Sequence, residues 1–310
     1  MSMSQSVLIC DQVNPVLNEI LEKNGLQITY EPEITADQIL EKIENFEVII
    51  VRSRTKITKD MIEKANKCQI IARVGVGLDN IDQAAAKEKN IRVINAVEGA
   101  MNAVAELVIG LMLSLAREIP RADREVRNGN WIKKELMGTE LRGKYLGIVG
   151  LGNIGKRLGR LARALNMNII GYDVVPIDEE FSSEVGLMKA DLGTLLSSSD
   201  YVSLHVPLLD STKHLINAEK MSTMKNTSRI INTSRGGVID EEALYEFLKD
   251  GKLGGAALDV FEVEPATSNK LASLPNFIST PHMGAQTKEA QSLAANVIAE
   301  KIIQILRGVT

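Results

Sequence analysis

Three side chains in the last third of the sequence could together bind an anion and exchange a proton. Arg235, Glu264 and His282 each follow a short apolar run typical of a β-strand. A guanidinium can hold a carboxylate through two hydrogen bonds, and an imidazole oriented by a carboxylate can exchange a proton with a substrate oxygen. Because ligands of parallel α/β sheets bind beyond the carboxyl ends of the strands, we expect the three to meet at one edge. Taken singly, each could be an ordinary surface, turn or loop residue.

A glycine-rich turn predicts a dinucleotide site. Gly150, Gly152 and Gly155 have the GxGxxG spacing between a predicted strand and a predicted helix over residues 154–165. They permit a tight turn, leave room for a pyrophosphate and let the helix pack closely, and the helix N-terminus favours phosphate. Asp173 ends the next predicted strand, 18 residues after Gly155. A carboxylate there accepts hydrogen bonds from ribose hydroxyls and repels a 2′-phosphate, which predicts NAD rather than NADP.

A second glycine-rich loop contains Val74, Gly75, Val76 and Gly77 and also follows a predicted strand. Asn80 stands where the third glycine of a dinucleotide turn would be, so we do not expect a nucleotide there. Its backbone N–H groups could instead hold a carboxylate or a phosphate of the substrate.

Short β-branched runs alternate with helical stretches along the whole chain, which is typical of parallel strands joined by crossover helices. A first group of predicted strands covers residues 6–10, 48–51, 70–74 and 91–95. A second group covers residues 145–149, 168–172, 201–205, 229–232, 255–258 and 277–279, as a doubly wound nucleotide-binding sheet requires. An apolar helix is predicted over 101–117, with Asn102 or a neighbour as its N-cap, and a last helix over 288–306.

Composition narrows the class of protein. A chain of 310 residues suggests about two domains, and 45% apolar and 25% charged residues are ordinary globular values. The net charge of −4 disfavours nucleic acid, and two cysteines with three histidines indicate neither a disulfide framework nor a metal site. The longest apolar stretch, 103–116, is interrupted by Glu106 and too short for a bilayer, and residues 1–11 lack the basic start of a signal peptide. We therefore predict a cytoplasmic protein without nucleic-acid, membrane or metal partners.

Together the motifs resemble those of the D-isomer-specific 2-hydroxyacid dehydrogenase family along nearly the whole chain. The resemblance is carried by residues 146–155 with Asp173, NTSRGGVID at 232–240, ALDVFEVEP at 257–265 and PHMGAQTK at 281–288. Residues 51–53, 137–141 and 284–290 are most similar to the phosphoglycerate dehydrogenase branch. The resemblance implies two doubly wound parallel-sheet α/β domains with a hinged cleft. A flavodoxin-like substrate domain would take residues 1–98 plus 286–310, and a Rossmann NAD-binding domain residues 99–285.

The resemblance also implies a role for individual residues. Arg235 would bind the substrate carboxylate and carbonyl, His282 would give and take the proton, and Glu264 would be its partner. The Val74 to Gly77 loop would hold the substrate carboxylate through its backbone. Candidate contacts to a substrate phosphate are Arg52, Arg54 and Lys133, and Ser53 is a further candidate for substrate binding. Further cofactor contacts would come from Asn153, Ile154, His205, Val206, Pro207, Thr233, Ser234, Asp259 and Gly284, with Asp259 near the nicotinamide carboxamide. The cofactor set also includes Arg235 and His282.

The implied activity is the NAD-dependent oxidation of 3-phospho-D-glycerate to 3-phosphohydroxypyruvate, the first step of serine biosynthesis, by a homodimer. Because the chain ends at Thr310, we do not expect the serine-binding regulatory domain that many such enzymes carry. Short members of the family also reduce glyoxylate or hydroxypyruvate, so these substrates stay an alternative. A remote alternative is a corepressor-like protein that senses the dinucleotide and binds partners.

Overall fold

The computed structural model describes residues 5–308. Residues 1–4 and 309–310, at the ends of the predicted substrate-domain ranges, lie outside the described residues. The chain divides into two compact units. Unit 1 is Met1–Met101 with Ala285–Thr310, and unit 2 is Asn102–Gly284.

Unit 1 begins with alternating strands and helices. In chain order they are β1 (Ser6–Ile9), α1 (Val16–Lys23), β2 (Gln27–Tyr30), α2 (Ala36–Lys42), β3 (Val48–Val51), α3 (Lys59–Lys64), β4 (Ile70–Arg73), α4 (Gln83–Glu88) and β5 (Arg92–Asn95). All strands of this sheet are parallel, in the order β2-β1-β3-β4-β5. That order is the flavodoxin-like form of the doubly wound fold, as predicted.

Two helices link the sheets, and unit 2 then repeats the alternation. The elements are α5 (Val97–Arg117), α6 (Ile119–Arg127), β6 (Tyr145–Val149), α7 (Asn153–Ala164), β7 (Asn168–Tyr172), α8 (Glu179–Val185), β8 (Met188–Lys189), α9 (Leu192–Ser198), β9 (Tyr201–Leu204), α10 (Ala218–Ser222), β10 (Arg229–Asn232), α11 (Glu241–Lys249), β11 (Gly255–Leu258), β12 (Phe277–Ser279) and, back in unit 1, α12 (Lys288–Leu306). The parallel sheet has the order β12-β11-β10-β9-β6-β7-β8. The reversal beside β6 is the Rossmann arrangement, which confirms the predicted fold class.

The strands are apolar because helices cover both faces of each sheet. All four residues of β3 are buried, as are all four of β9 and of β11. In unit 1 one face packs against α12 through buried residues such as Ala295, Ile298 and Ile302. Sheets buried on both faces leave only their strand ends accessible, and functional side chains must therefore sit on the loops there.

Some boundaries differ from the predictions, and two strands were missed. β2 and β8 lie at sheet edges, where half-exposed polar sequences carry little apolar signal. Helix α5 begins at Val97, so Asn102 lies inside it and the predicted N-cap is wrong. With 21 residues the helix is long and apolar enough to cross a membrane, so the prediction that this segment is too short for a bilayer is wrong. Of its most apolar window, 56% is buried.

Candidate active site

The three glycines of the turn after β6 meet three different steric demands. Gly150 has a φ of +93°, and a Cβ there would lie 2.6 Å from the carbonyl oxygen of His205. A Cβ on Gly155 would lie 2.1 Å from the oxygen of Gly150, so this glycine lets α7 approach the turn. Beside Gly152 no atom of the described residues lies within 4 Å of the added Cβ, which leaves space at the start of α7.

The carboxylate of Asp173 is fixed beside this turn. Its Oδ2 accepts the backbone N–H of Leu151 at 2.6 Å, and its Oδ1 accepts the N–H of Val175 at 3.0 Å. The end of β7 is thereby tied to the glycine turn after β6, its neighbour in the sheet. A carboxylate held there is placed for a ribose rather than for a 2′-phosphate.

The side chains that follow β10 also fit a dinucleotide. The Oγ1 of Thr233 is shielded from solvent and has no hydrogen-bond partner among residues 5–308. Buried hydroxyls are nearly always paired, so this atom is suited to a bound polar group. Ser234 is oriented by Asn232, whose Oδ1 accepts both its N–H at 3.0 Å and its hydroxyl at 2.7 Å. The open space at Gly152, the carboxylate of Asp173 and this orphaned hydroxyl together fit NAD.

His282 and Glu264 form a hydrogen-bonded pair. The Nδ1 of His282 lies 2.8 Å from the Oε2 of Glu264, and the other carboxylate oxygen accepts the N–H of Phe261 at 3.1 Å. Because an ionised carboxylate only accepts, Nδ1 carries the proton and donates it to Glu264. The imidazole is half exposed, so its Nε2 is the nitrogen left for a substrate oxygen.

The backbone of His282 is held in an unusual conformation. Its φ of +53° lies in the left-handed region, which costs a non-glycine residue about 1–2 kcal/mol. Asp259, only 1% exposed, offsets this cost by accepting the N–H groups of Met283 at 2.8 Å and Gly284 at 2.9 Å and the hydroxyl of Thr280 at 2.6 Å. Asp259 therefore positions the loop that presents His282.

Arg235 lies on the loop after β10, which pairs with β11 in the sheet, and β12 lies on the far side of β11. The Nδ2 of buried Asn232 donates to the carbonyl of Arg235 at 2.8 Å. A Cβ on Gly236 would lie 1.8 Å from the oxygen of Phe261, so this loop abuts the loop that carries Glu264. The three predicted side chains thus come from one rim of unit 2. Asn232 and Thr280, which hold that rim in place, were missed because a polar residue beside a strand end carries no distinctive spacing.

The predicted substrate contacts of unit 1 lie at the carboxyl edge of its own sheet. Arg52 and Ser53 follow β3, and the Val74 to Gly77 loop follows the neighbouring β4. The Nη2 of Arg52 donates to the Oε1 of Gln286 at 3.1 Å. Among residues 5–308, the N–H groups of Val76 and Gly77 form no hydrogen bond, which suits an anion-holding loop.

Arg54 is placed differently. Its guanidinium donates to the carbonyl oxygens of Cys10, Pro32 at 2.8 Å and Ile34 at 3.1 Å, and its Nε lies 3.2 Å from a carboxylate oxygen of Asp11. These contacts favour a structural role over the predicted phosphate contact. Lys133, the other predicted cation, lies in unit 2 on the exposed stretch between α6 and β6.

His205 is a structural member of the nucleotide-binding rim. Its Nε2 lies 2.9 Å from the hydroxyl of Ser203, and its carbonyl closes over Gly150. Burial lowers the pKa of His205 from 6.5 to about 4, so the ring is neutral at physiological pH. It can line a cofactor, and it cannot supply a proton near neutrality.

The sheet order, the glycine turn and Asp173 define a Rossmann domain that binds NAD. Comparison with known proteins agrees: the sequence model for the D-isomer specific 2-hydroxyacid dehydrogenase, NAD binding domain, matches residues 109–284. D-3-phosphoglycerate dehydrogenase of Methanocaldococcus jannaschii is 46% identical over 303 residues, which are 97% of this chain and 57% of that protein. Hydroxypyruvate reductase of Thermotoga maritima is 47% identical over 290 residues, 93% of each chain.

A solved structure agrees as well. The holo form of D-mandelate dehydrogenase from Rhodotorula graminis superposes with a TM-score of 0.91 at 30% identity, covering 97% of this chain and 94% of that one. The chain belongs to the D-isomer-specific 2-hydroxyacid dehydrogenase family, which confirms the resemblance found in the sequence. It spans 57% of the length of the Methanocaldococcus relative.

Asp173 provides a test of the cofactor site. In Asp173→Ala we expect the ratio of NADP to NAD affinity to rise by about ten-fold or more, because the charge that repels the 2′-phosphate is gone. Dissociation constants for both dinucleotides, measured by nucleotide fluorescence, check this. Asp191→Ala, which removes the carboxylate at the N-cap of α9, is the control and should leave the ratio unchanged. An unchanged ratio in Asp173→Ala would refute the ribose assignment.

His205 predicts a pH dependence of stability. Its folded pKa of about 4 lies below the usual 6.5, so the unfolded chain binds the extra proton between these values. The contribution of neutral His205 to the free energy of unfolding is complete above pH 6.5 and is lost as the pH falls towards 4. At pH 5 the loss is roughly 2 kcal/mol. His205→Gln should lack this loss when urea unfolding is compared at pH 7.5 and pH 5. Equal pH slopes for the two proteins would contradict the burial of the ring.

Proposed function

We propose that this protein is an NAD-dependent dehydrogenase that oxidises 3-phospho-D-glycerate to 3-phosphohydroxypyruvate. The observation that carries the proposal is the His282–Glu264 pair at 2.8 Å, on the same rim of the NAD-binding unit as Arg235. A proton acceptor, its carboxylate partner and a guanidinium are the groups that the oxidation of a 2-hydroxy acid requires. The Methanocaldococcus relative, named D-3-phosphoglycerate dehydrogenase, supports the choice of substrate.

The geometry of His282 supports one assignment of the proton step. Bound NAD supplies the hydride acceptor. Because Nδ1 donates to Glu264, the Nε2 of His282 keeps a lone pair and takes the proton of the C2 hydroxyl as the hydride leaves C2. The charge of Glu264 stabilises the imidazolium that forms. In the reverse direction Nε2 returns the proton to the developing alkoxide, so the same pair serves reduction of the ketone.

Different residues would bind the carboxylate and the phosphate of the substrate. Arg235 would bind the carboxylate and the C2 oxygen through its planar fork. The N–H groups of the Val74 to Gly77 loop would hold the carboxylate as well. Arg52, half-buried and oriented by Gln286, is the cation we assign to the phosphate, with Ser53 and Lys133 as further contacts.

A homodimer built through unit 2 is part of the proposal. Helix α6 and the segment that follows it in the chain carry exposed apolar side chains: Val126 is 56% exposed, Trp131 81% and Met137 87%. Large apolar side chains at such exposure favour an interface.

Together with the oxidation of phosphoglycerate, we further propose the cytoplasm as the compartment and the first step of serine biosynthesis as the metabolic context.

Reduction of hydroxypyruvate is the second candidate. The Thermotoga relative carries that name, and it matches this chain over nearly its full length. The proton chemistry at C2 is the same for both substrates, so only groups that meet the C3 substituent can discriminate between them.

A substrate panel tests the proposal. With NADH as the reductant, 3-phosphohydroxypyruvate should exceed hydroxypyruvate and glyoxylate in kcat/KM by about a hundred-fold or more, since a charged contact to phosphate contributes on the order of 3 kcal/mol. An equal or reversed preference would reject phosphoglycerate as the substrate and favour the reductase.

Arg235 is the side chain whose loss should cost most in substrate binding. Arg235→Ala should lower kcat/KM by several orders of magnitude while the dissociation constant of NADH stays within about two-fold, because the fork contacts the substrate. Arg235→Lys keeps the charge without the fork and should recover only a small part. If Arg235→Ala retains the wild-type kcat/KM, the assigned role is wrong.

A further inference from the structure

A buried carboxylate in unit 1 gathers donors from a single loop. Asp11 follows β1 and is 2% exposed. Its Oδ2 accepts the backbone N–H groups of Arg52 and, at 3.3 Å, of Thr55. Its Oδ1 accepts the hydroxyl of Thr55 at 2.7 Å and lies 3.2 Å from the Nε of Arg54. All of these donors belong to residues 52–55, directly after β3.

The backbone of Arg52 is held from three directions. Its N–H donates to Asp11, and its carbonyl accepts the Nε of Arg73 at 3.1 Å and the Nδ2 of Asn80 at 3.0 Å. These partners come from the end of β1, the end of β4 and the loop after β4. The main chain of Arg52 is thus fixed, and only its side chain can adjust.

These contacts are not required to pair the strands. β1 and β3 are already joined in register from Val7 to Ile9, and the ladder continues to the N–H of Cys10, which donates to Ile50 at 2.9 Å. A buried charge costs several kcal/mol unless donors surround it, so it enforces one arrangement of the loop that supplies them. The loop so enforced is the one that carries the cation assigned to the substrate phosphate.

We propose that Asp11 is a positioning residue for substrate selection, acting by fixing the main chain of Arg52 so that its guanidinium is presented to the phosphate of the substrate. The inference rests on the proposed function. It predicts that loss of the Asp11 carboxylate weakens binding of the phosphorylated substrate without altering the proton chemistry at C2, which lies with residues of unit 2.

Unit 1 contains a matched control. Glu47 precedes β3 and ties it to the start of β1, because its Oε2 accepts the N–H of Ser6 at 2.7 Å and also its hydroxyl. Glu47 and Asp11 therefore connect the same two strands at opposite ends. Substituting either weakens a carboxylate clamp of one sheet, and only Asp11 holds the loop at the carboxyl edge.

The test is a double-mutant cycle of Asp11→Asn and Arg52→Gln, with Glu47→Gln as the control. In Asp11→Asn an amide can place N–H groups against the donors of the loop. We expect KM for 3-phosphohydroxypyruvate to rise about ten-fold or more, with kcat, the NADH dissociation constant and kcat/KM for hydroxypyruvate each within about three-fold of wild type. Glu47→Gln should leave the ratio of the two kcat/KM values unchanged.

The cycle separates the failure of this inference from that of the proposed function. If Asp11 acts through Arg52, the double variant should discriminate between the two substrates no worse than Arg52→Gln alone. Independent, multiplying effects, or equal losses on both substrates, would overturn the role of Asp11. A wild-type enzyme without preference for the phosphorylated substrate would instead overturn the proposed function.

Thr55→Val keeps the test decisive if Asp11→Asn fails to fold. This variant retains the branched shape and removes only the hydroxyl that donates to Asp11 at 2.7 Å. A smaller rise of KM, confined to the phosphorylated substrate and absent in the Arg52→Gln background, supports the inference. A wild-type KM, or a rise that persists in that background, overturns it.

Discussion

The position of His282 depends on one buried carboxylate. Asp259 accepts three hydrogen bonds from residues 280–284, and this holds the left-handed backbone from which the imidazole projects. A carboxylate with 1% exposure is tolerated only when donors satisfy its oxygens, so the loop cannot relax without leaving a buried charge unpaired. The short contact between His282 and Glu264 follows from this anchoring, because each side chain is then presented from a fixed main chain.

Asp11 fixes a loop in unit 1 in the same way. Each of the two aspartates follows a parallel strand and accepts donors from the loop after the adjacent strand, β3 beside β1 and β12 beside β11. Loops at the carboxyl edge of a parallel sheet contain backbone N–H groups that the ladder no longer pairs. A carboxylate at the end of the next strand satisfies them and converts a flexible connection into a fixed one. In both units the fixed loop carries a residue that we assign to the substrate.

Local signals were sufficient to predict most of the framework. The apolar runs predicted β6, β7, β10, β11 and β12 to the residue, and the glycine spacing predicted the turn before α7. The roles of Asn232 and Arg54 could not be predicted, because they depend on partners brought together by the fold. An arginine after a strand suggests an anion contact, but its donors here go to carbonyls such as those of Pro32 and Ile34, some twenty residues away. The start of α5 was missed because its first turn carries no N-cap signature in the sequence. That turn contains the acidic residue Glu98, which pairs with Lys301 at 3.1 Å.

Family membership determines the chemistry at C2 more closely than the identity of the substrate. In the proposed function, the imidazole, the carboxylate and the guanidinium of unit 2 would act on the atoms that every 2-hydroxy acid shares. Discrimination would then come from groups that meet the C3 substituent. Arg52 is the cation that we propose for a phosphate there, because its backbone has three hydrogen-bond partners and its side chain donates to Gln286. Arg54, two residues further along the chain, instead donates to the carbonyls of Cys10 and Pro32 and pairs with Asp11. The difference between Arg52 and Arg54, set by hydrogen bonding rather than by charge, is therefore what a change of substrate in this scaffold would have to alter.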